Sequence, residues 1–223
     1  MDGQEEFIEL DVIKIGAEAV IHKVLWRGLT LIAKRRVPKP YRHPDLDREI
    51  RKKRTINEAR VMHRSKMLGV PCPAIIHVEL STSTIYMQYI EGRDLRDLLN
   101  SDADQSLRLA WRIGEIVGKM HRGGIYHGDI VPSNIMISDS LPVLIDFGLS
   151  GFSSEIEEQA IDIHLLERSL RANHPAIADD FMSMFMDGYR SVVGEDYAEQ
   201  IQERIVEIRK RARYVARGLR HGE

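Results

Sequence analysis

His127-Gly128-Asp129, Asn134 and Asp146-Phe147-Gly148 follow one another in a single stretch of the 223-residue chain. Each comes after an apolar run, so each is expected where a strand or helix ends and faces a cleft. Asp129 and Asn134 stand five positions apart, and Asp146 follows Val143-Leu144-Ile145, which reads as a buried strand. Moving a phosphoryl group from ATP needs one carboxylate at the attacking hydroxyl. It also needs an amide oxygen and a second carboxylate to hold magnesium on the triphosphate. Asp129, Asn134 and Asp146 supply that set in that order. A lone Asp-Phe-Gly is common by chance; the ordered set is not.

Upstream of this stretch, residues 7–15 and 19–26 read as two strands around the turn Gly16-Ala17-Glu18-Ala19, and residues 29–34 as a third. A proline corner (Pro38, Pro40, Pro44) breaks the chain before a charged helix expected over 45–67, which Gly69 and Pro71 stop. Residues 74–80 and 84–90 read as two more strands, and Glu91-Gly92-Arg93 as a hinge. Beyond it Leu107, Ala110, Ile113, Val117 and Met120 recur at helical spacing, and Gly123-Gly124 suits a helix end. Short strands are expected at 125–126, 135–137 and 143–145, and helices at 160–172, 176–190 and 195–217. The expectation is an α+β, bilobal fold. A small β-rich lobe with one main helix (about 1–91) meets a reduced helical lobe (about 92–203), and a basic tail follows (about 204–223).

In the strand-then-helix context, Lys34 at the end of the third strand can reach the α- and β-phosphates, with Glu58 on the helix as its anionic partner. Gly16, Ala17, Glu18 and Ala19 occupy the place of a phosphate-covering loop, where only Gly16 easily takes a left-handed backbone. Ile21, Ile32, Met87 and Met136 can sandwich adenine. The segment from Tyr86 to Ile90, with Gln88, offers backbone groups to its edge.

Composition bounds the rest. With 43% hydrophobic and 30% charged residues the chain reads as an ordinary soluble globular protein, and no apolar run approaches a membrane span. The polar, acidic start is unlike a secretory signal, and one cysteine, Cys72, suits a reducing cytoplasm. The net charge of -2 hides segregation. Thirteen Lys/Arg face four Asp/Glu over 34–66, three face fourteen over 139–203, and seven face one over 204–220. Two basic blocks in a near-neutral chain suggest a nucleic-acid or acidic partner.

These residues resemble the protein-kinase-like fold over nearly the whole chain. More narrowly, they resemble the small atypical Ser/Thr kinase of the KEOPS complex (the PRPK family). The resemblance rests on Lys14-Ile15-Gly16-Ala17-Glu18-Ala19, Pro38-Lys39-Pro40-Tyr41-Arg42-His43-Pro44 and Arg54-Thr55-Ile56-Asn57-Glu58-Ala59-Arg60. It rests also on His127-Gly128-Asp129 with Ser133-Asn134, the segment from Leu144 to Ser150, and the basic segment from Glu207 to Val215. The resemblance implies an ATP- and Mg-dependent enzyme behaving largely as an ATPase. Its complex makes N6-threonylcarbamoyl-adenosine beside the anticodon of tRNA. It implies a threonylcarbamoyl transferase bound directly, through the carboxy-terminal lobe, and a second small subunit on the amino-terminal lobe. The basic residues Arg209, Lys210, Arg211, Arg213, Arg217 and Arg220 would then meet tRNA or a partner.

Three departures from ordinary protein kinases stand out. Gly128 replaces the arginine that meets a phosphorylated activation loop, so control by phosphorylation at Ser150, Ser153 or Ser154 is not expected. Ile130-Val131-Pro132-Ser133 carries no catalytic-loop lysine. Fourteen residues separate Phe147 from Asp162 with no Ala-Pro-Glu, too few for a full peptide platform; Asp162 can brace the catalytic loop or cap its helix. Two alternatives stay open: a small-molecule kinase of the aminoglycoside or choline type, and a nucleotide-binding scaffold without turnover.

Overall fold

A computed structural model describes the backbone of residues 7–218 and the side chains of residues 7–211. Strands β1 (Ile8–Ile15), β2 (Ala19–Trp26), β3 (Leu29–Arg36), β4 (Ile75–Glu79) and β5 (Thr84–Gln88) form one antiparallel sheet in the order β1-β2-β3-β5-β4. Arg27 and Gly28, both at positive φ (50° and 76°), make the tight β2–β3 turn whose twist matches the strands it joins. Alternation gives the sheet two different faces. Leu31, Ala33, Val24 and Tyr86 gather on one, under Phe7 and Trp26, with the Phe7 and Tyr86 rings stacked at 3.8 Å. Ile32, Lys34 and Arg36 point to the other.

Helix α1 (Pro44–Met67) crosses that second face. Pro44 opens it, Asp45 and Asp47 fill its first turn, and Arg64 and Lys66 its last, as the helix dipole favours. Cys72, just beyond, is 2% exposed, and burial pushes its thiol up to about 11, so it packs as a small hydrophobe.

The second lobe holds β6 (Arg93–Asp94), α2 (Leu95–Ser101), α3 (Ala103–Arg122), β7 (Ile125–Tyr126), a 3-10 turn at Pro132–Asn134, β8 (Ile135–Ser138), β9 (Leu141–Leu144), β10 (Gly151–Phe152), α4 (Ile156–Asn173), α5 (Ala178–Val193) and α6 (Glu195–Gly218). Strands β6-β8-β9 and β10-β7 make two small sheets. Asp102 caps α3 through the Gln105 amide. Gly123 closes that helix, and Gly124, at φ 71°, turns the chain out of it.

Helices α3 and α5 approach backbone to backbone. A Cβ on Gly114 would lie 1.9 Å from the Phe185 carbonyl oxygen, and one on Gly188 1.8 Å from that of Trp111. Glycine costs about 1 kcal/mol against alanine in a helix interior, so these two serve the crossing rather than the helices. Gly114→Val is expected to lower stability by about 3 kcal/mol or more, because a packed core yields little to added volume. A drop in the urea midpoint checks this.

One apolar cluster runs through both lobes. Val61, Met62, Ile85 and Met87 from the first join Leu95, Leu98, Ile113, Met120, Ile135, Leu144 and Phe147 from the second.

The structure departs from the sequence expectations in identifiable places. Helix α2 and strand β6 stand beyond the expected hinge; Asp94 caps α2 while Leu95, Leu98 and Leu99 bury, a pattern too short to stand out. Helix α4 starts at Ile156 rather than 160. Strand β9 starts at Leu141, two residues before the expected 143, and ends at Leu144, although the Ile145 amide still follows the β8–β9 register by bonding to the Asn134 carbonyl at 2.9 Å. Strand β3 runs two residues past Lys34 and so carries Arg36 inward. Helix α6, from Glu195 to Gly218, matches the helix expected over 195–217; it buries Ala198, Ile201 and Ile205 and carries the basic segment from Arg204 on its last turns.

Candidate active site

The cleft is built where β3, α1 and the loops after β7 and β9 converge. Lys34, 7% exposed on β3, places Nζ 2.5 Å from Glu58 Oε1 on α1 and 2.6 Å from Asp146 Oδ1. Asp146 follows β9 and adopts φ 61°, a backbone that aspartate tolerates better than most residues. Burial pushes its carboxyl up, but the Lys34 charge, the Lys34 hydrogen bond and the Gly148 amide outweigh it and hold the carboxyl below the usual range. Asp146 is therefore an anion at neutral pH.

Asp129 and Asn134 form one unit. Asn134 Nδ2 donates to Asp129 Oδ2 at 2.9 Å and to the Asp129 carbonyl at 3.0 Å. With its amide nitrogen on Asp129, the amide oxygen is the atom that Asn134 offers a cation. The 3-10 turn after Pro132 shapes this loop.

Asp162, fully buried on α4, braces the loop from behind. It accepts from the His127 amide at 2.6 Å and the Gly128 amide at 2.7 Å, and lies 3.2 Å from His121 Nε2. N-capping is not its role, because α4 begins six residues earlier. His127 Nε2 lies 3.1 Å from the Ile145 carbonyl, so that nitrogen carries the proton and ties the Asp129 loop to the Asp146 strand. The ring packs on Phe147 at 4.7 Å between centroids.

Burial lowers the His127 pKa from its ordinary 6.5, against the raising pull of Asp162, Asp146 and Asp129. The unfolded chain therefore binds more protons than the folded one below about pH 6.5. Stability from this group is complete above that pH and falls as the pH drops toward the folded value. Urea unfolding across pH 5–7.5 should show that slope, and His127→Gln should flatten it.

A cavity of about 240 Å³ opens in front of these groups. It is lined by Lys14, Gly16, Ala17, Glu18, Ala19, Ile21, Lys34, Arg36, Arg54, Asp129, Asp146, Gly148 and Leu149. The expected phosphate-side residues thus meet. Gly16, however, does not use a left-handed backbone; it sits in a turn closed by its amide on the Ala19 carbonyl at 2.9 Å, where a Cβ would come within 3.2 Å of that oxygen. Ile32 pairs with Met87 across β3 and β5 on the cleft-side face, and half-buried Met136 lies on β8. The Gln88 amide donates to the Ala74 carbonyl at 2.8 Å and so is not offered to adenine, while Ile90 lies past the end of β5.

Several functional neighbours escaped the sequence reading. Arg36 lies 2.5 Å from Glu58 Oε2. Glu18 of the phosphate loop is held by Arg54 at 2.6 Å and Lys39 at 3.7 Å, and Lys39 also donates to the Ala17 carbonyl. The proline corner and α1 thus pin the loop in place of extra glycines.

The activation segment is short and tied down. Ser150 is 4% exposed, with its hydroxyl donating to the Phe147 carbonyl at 2.6 Å, and Asn57 of α1 donates to the Ser150 carbonyl at 2.8 Å.

In the basic segment, Arg209 pairs with Glu167 and Arg211 with Glu157, so both are engaged within the lobe, whereas Lys210 is exposed. The side chains of Arg213 and Arg217, and all of Arg220, lie outside the described residues.

Among the described residues no three His, Cys, Asp or Glu side chains cluster as a metal cage. Magnesium needs none, since one or two carboxylates with substrate phosphates suffice. Asp146 and the Asn134 amide, both hard oxygen donors beside a cavity lined by cations, fit that ion.

Residues 31–167 match the protein kinase domain family. The KEOPS complex subunit Bud32 of Pyrococcus abyssi is 37% identical over 212 residues, covering 92% of this chain and 96% of that protein. A probable bifunctional tRNA threonylcarbamoyladenosine biosynthesis protein of Methanothermobacter thermautotrophicus is 38% identical over 216 residues; the match takes in 96% of this chain but 39% of that longer protein. Among solved structures, the Rio2 kinase of Chaetomium thermophilum in its ADP/Mg2+-phosphoaspartate complex superposes with a TM-score of 0.64, covering 92% of this chain and 72% of that one. At 15% identity that likeness concerns the fold alone.

Proposed function

From the premise that this chain belongs to the protein kinase family, and within it to the Bud32 family of KEOPS-complex kinases, we propose that its cleft turns over ATP with magnesium. The reaction is hydrolysis, or transfer to a serine or threonine, in support of threonylcarbamoyl-adenosine formation on tRNA. The observation that carries this reading is the convergence of Lys34, Glu58, Asp129, Asn134 and Asp146 on one cleft.

Each residue has a physical task. Lys34, kept in place by Glu58, meets the α- and β-phosphates and neutralises their charge. Asp129, oriented by Asn134, accepts a hydrogen bond from the attacking water or hydroxyl and lines it up. Asp146 and the Asn134 amide oxygen would hold magnesium, which supplies charge neutralisation on the phosphates when bound. Ile21, Ile32, Met87 and Met136 would pack on the adenine, the residues from Gly16 to Ala19 would cover the phosphates, and backbone groups of the segment at Gln88 and Ile90 would meet the adenine edge.

Partner assignments follow the family. Strand β1, an edge of the sheet, leaves Ile8, Leu10, Val12, Ile13 and Ile15 each at least 47% exposed, which supports a small subunit docking on the amino-terminal lobe. The threonylcarbamoyl transferase is assigned to the carboxy-terminal lobe. tRNA phosphates are assigned to the end of α6, through Lys210, Arg213 and Arg217 rather than Arg209 or Arg211, which already have acidic partners. A cytoplasmic setting goes with this reading.

Replacing Lys210, Arg213 and Arg217 together by alanine is expected to weaken tRNA binding and reduce its salt slope by about 0.9 for each duplex phosphate that is no longer neutralised. Filter binding across a salt series measures it. The test of the function itself is ATP turnover by the purified protein with magnesium and with EDTA, alone and with the transferase and tRNA. Magnesium-dependent turnover, raised in the assembly, is expected; a rate equal to that in EDTA would contradict the proposal.

A further inference from the structure

Arg36 takes no part in the residue set just described, yet it is 3% exposed, and its Nη2 lies 2.5 Å from Oε2 of Glu58. Lys34 holds the other oxygen, Oε1, at 2.5 Å. Positions 34 and 36 of β3 share a face, so one strand presents two cations to a single carboxylate from α1. Glu58 is 1% exposed. A carboxylate buried to that extent with one oxygen unmatched is strongly disfavoured, because breaking one arm of a buried ion group leaves charge without compensation. Lys34 is also shared with Asp146 at 2.6 Å, so it cannot satisfy Glu58 alone.

In ordinary protein kinases the lysine–glutamate pair forms and breaks as the helix moves, under control of the phosphorylated activation segment. Here Gly128 offers no arginine to such a phosphate, and Ser150 is buried. Something else must keep α1 against β3. Besides Arg36, Asn57, next to Glu58 on α1, donates to the Ser150 carbonyl at 2.8 Å and ties the helix to the activation segment.

We propose that Arg36 is a positioning residue: by holding the second oxygen of Glu58 it fastens α1 to β3, so that Glu58 keeps Lys34 toward the phosphates without any modification of the activation segment. Arg36 acts through Glu58, although it also lines the cavity. The inference rests on reading the cleft as a nucleotide site.

A double-mutant comparison tests it, using Arg36→Met, Glu58→Gln and both together. Two quantities are read: Mg–ATP affinity by calorimetry, and amide hydrogen exchange over residues 55–62 in the nucleotide-free protein. Arg36→Met is expected to weaken Mg–ATP binding and speed that exchange about tenfold, and to add no more than roughly twofold once Glu58 is glutamine. Arg36→Lys, which keeps the charge without the fork, should lose roughly threefold and carries the comparison if the methionine variant does not fold. An equal loss in both backgrounds would overturn the proposal, because Arg36 would then meet the nucleotide itself. Unchanged affinity and exchange in Arg36→Met would overturn it too. If wild-type protein binds no Mg–ATP, the reading of the cleft fails, while the exchange comparison still decides whether Arg36 holds Glu58.

Discussion

Asp129→Asn is expected to lower ATP turnover by about 10²–10⁴-fold while leaving Mg–ATP binding within a few-fold of wild type. The side chain changes little in size, and the carboxylate oxygen that would align the nucleophile becomes an amide. Asn134 Nδ2 now bonds Asp129 Oδ2 at 2.9 Å and keeps a second bond to the Asp129 carbonyl at 3.0 Å, so the loop stays tethered in the variant. Lys34 and Asp146, on the phosphate side, are untouched. The split between turnover and binding is the diagnostic feature: loss of both together would indicate a collapsed loop rather than a missing carboxylate. Single-turnover rates with labelled ATP, alongside calorimetry, separate the two.

The second large effect concerns Gly128, where ordinary protein kinases carry arginine. Its φ is 81°, and a Cβ there would lie 2.4 Å from the Leu149 carbonyl oxygen. An L-residue pays roughly 1–2 kcal/mol for the left-handed backbone alone. The Leu149 carbonyl has little room to retreat, because Ser150 beside it is held by Phe147 and Asn57. Gly128→Ala is therefore expected to lose about 3 kcal/mol or more in total, and Gly128→Arg at least as much. The arginine variant should melt earlier and gain no response to Ser153→Glu. A stable Gly128→Arg protein activated by that change would show that the segment is free to regulate, contrary to its packing here.

Much of this site was legible in the sequence because its chemistry is local. Asp129 and Asn134 lie on one loop, so their spacing alone places them together. Lys34 and Glu58 were legible from a strand followed by a helix, since a helix packed on that strand brings its middle over the strand's end. Asp162, placed by the sequence at the opening of the next helix, reads equally as a brace or a cap; only the start of α4 at Ile156 decides for the brace. What stayed hidden depends on contacts that no periodicity encodes. Arg36 looks like the solvated end of a strand until β3 is seen to run two residues further under α1. Arg209 and Arg211 look like a free basic cluster until Glu167 and Glu157, 42 and 54 residues earlier, fold against them. The close α3–α5 crossing rests on Gly114 and Gly188, each of which reads in sequence only as a weak helix residue. Of the backbone groups expected at the adenine edge, the Gln88 amide is taken by the Ala74 carbonyl, a contact that no periodicity encodes. Helix α2 carries its own cap and three buried leucines, yet seven residues are too few for a periodic pattern to stand out.

The central claim is that the cleft's phosphoryl chemistry, and not merely the presence of the chain, serves tRNA modification. The most direct measurement is threonylcarbamoyl-adenosine formed on tRNA over repeated turnovers by the reconstituted complex, with wild-type protein or with folded, ATP-binding Asp129→Asn. The account predicts sustained product with wild type and a rate reduced at least about tenfold with Asp129→Asn. Equal rates with the two proteins would contradict it and leave the chain a nucleotide-binding scaffold.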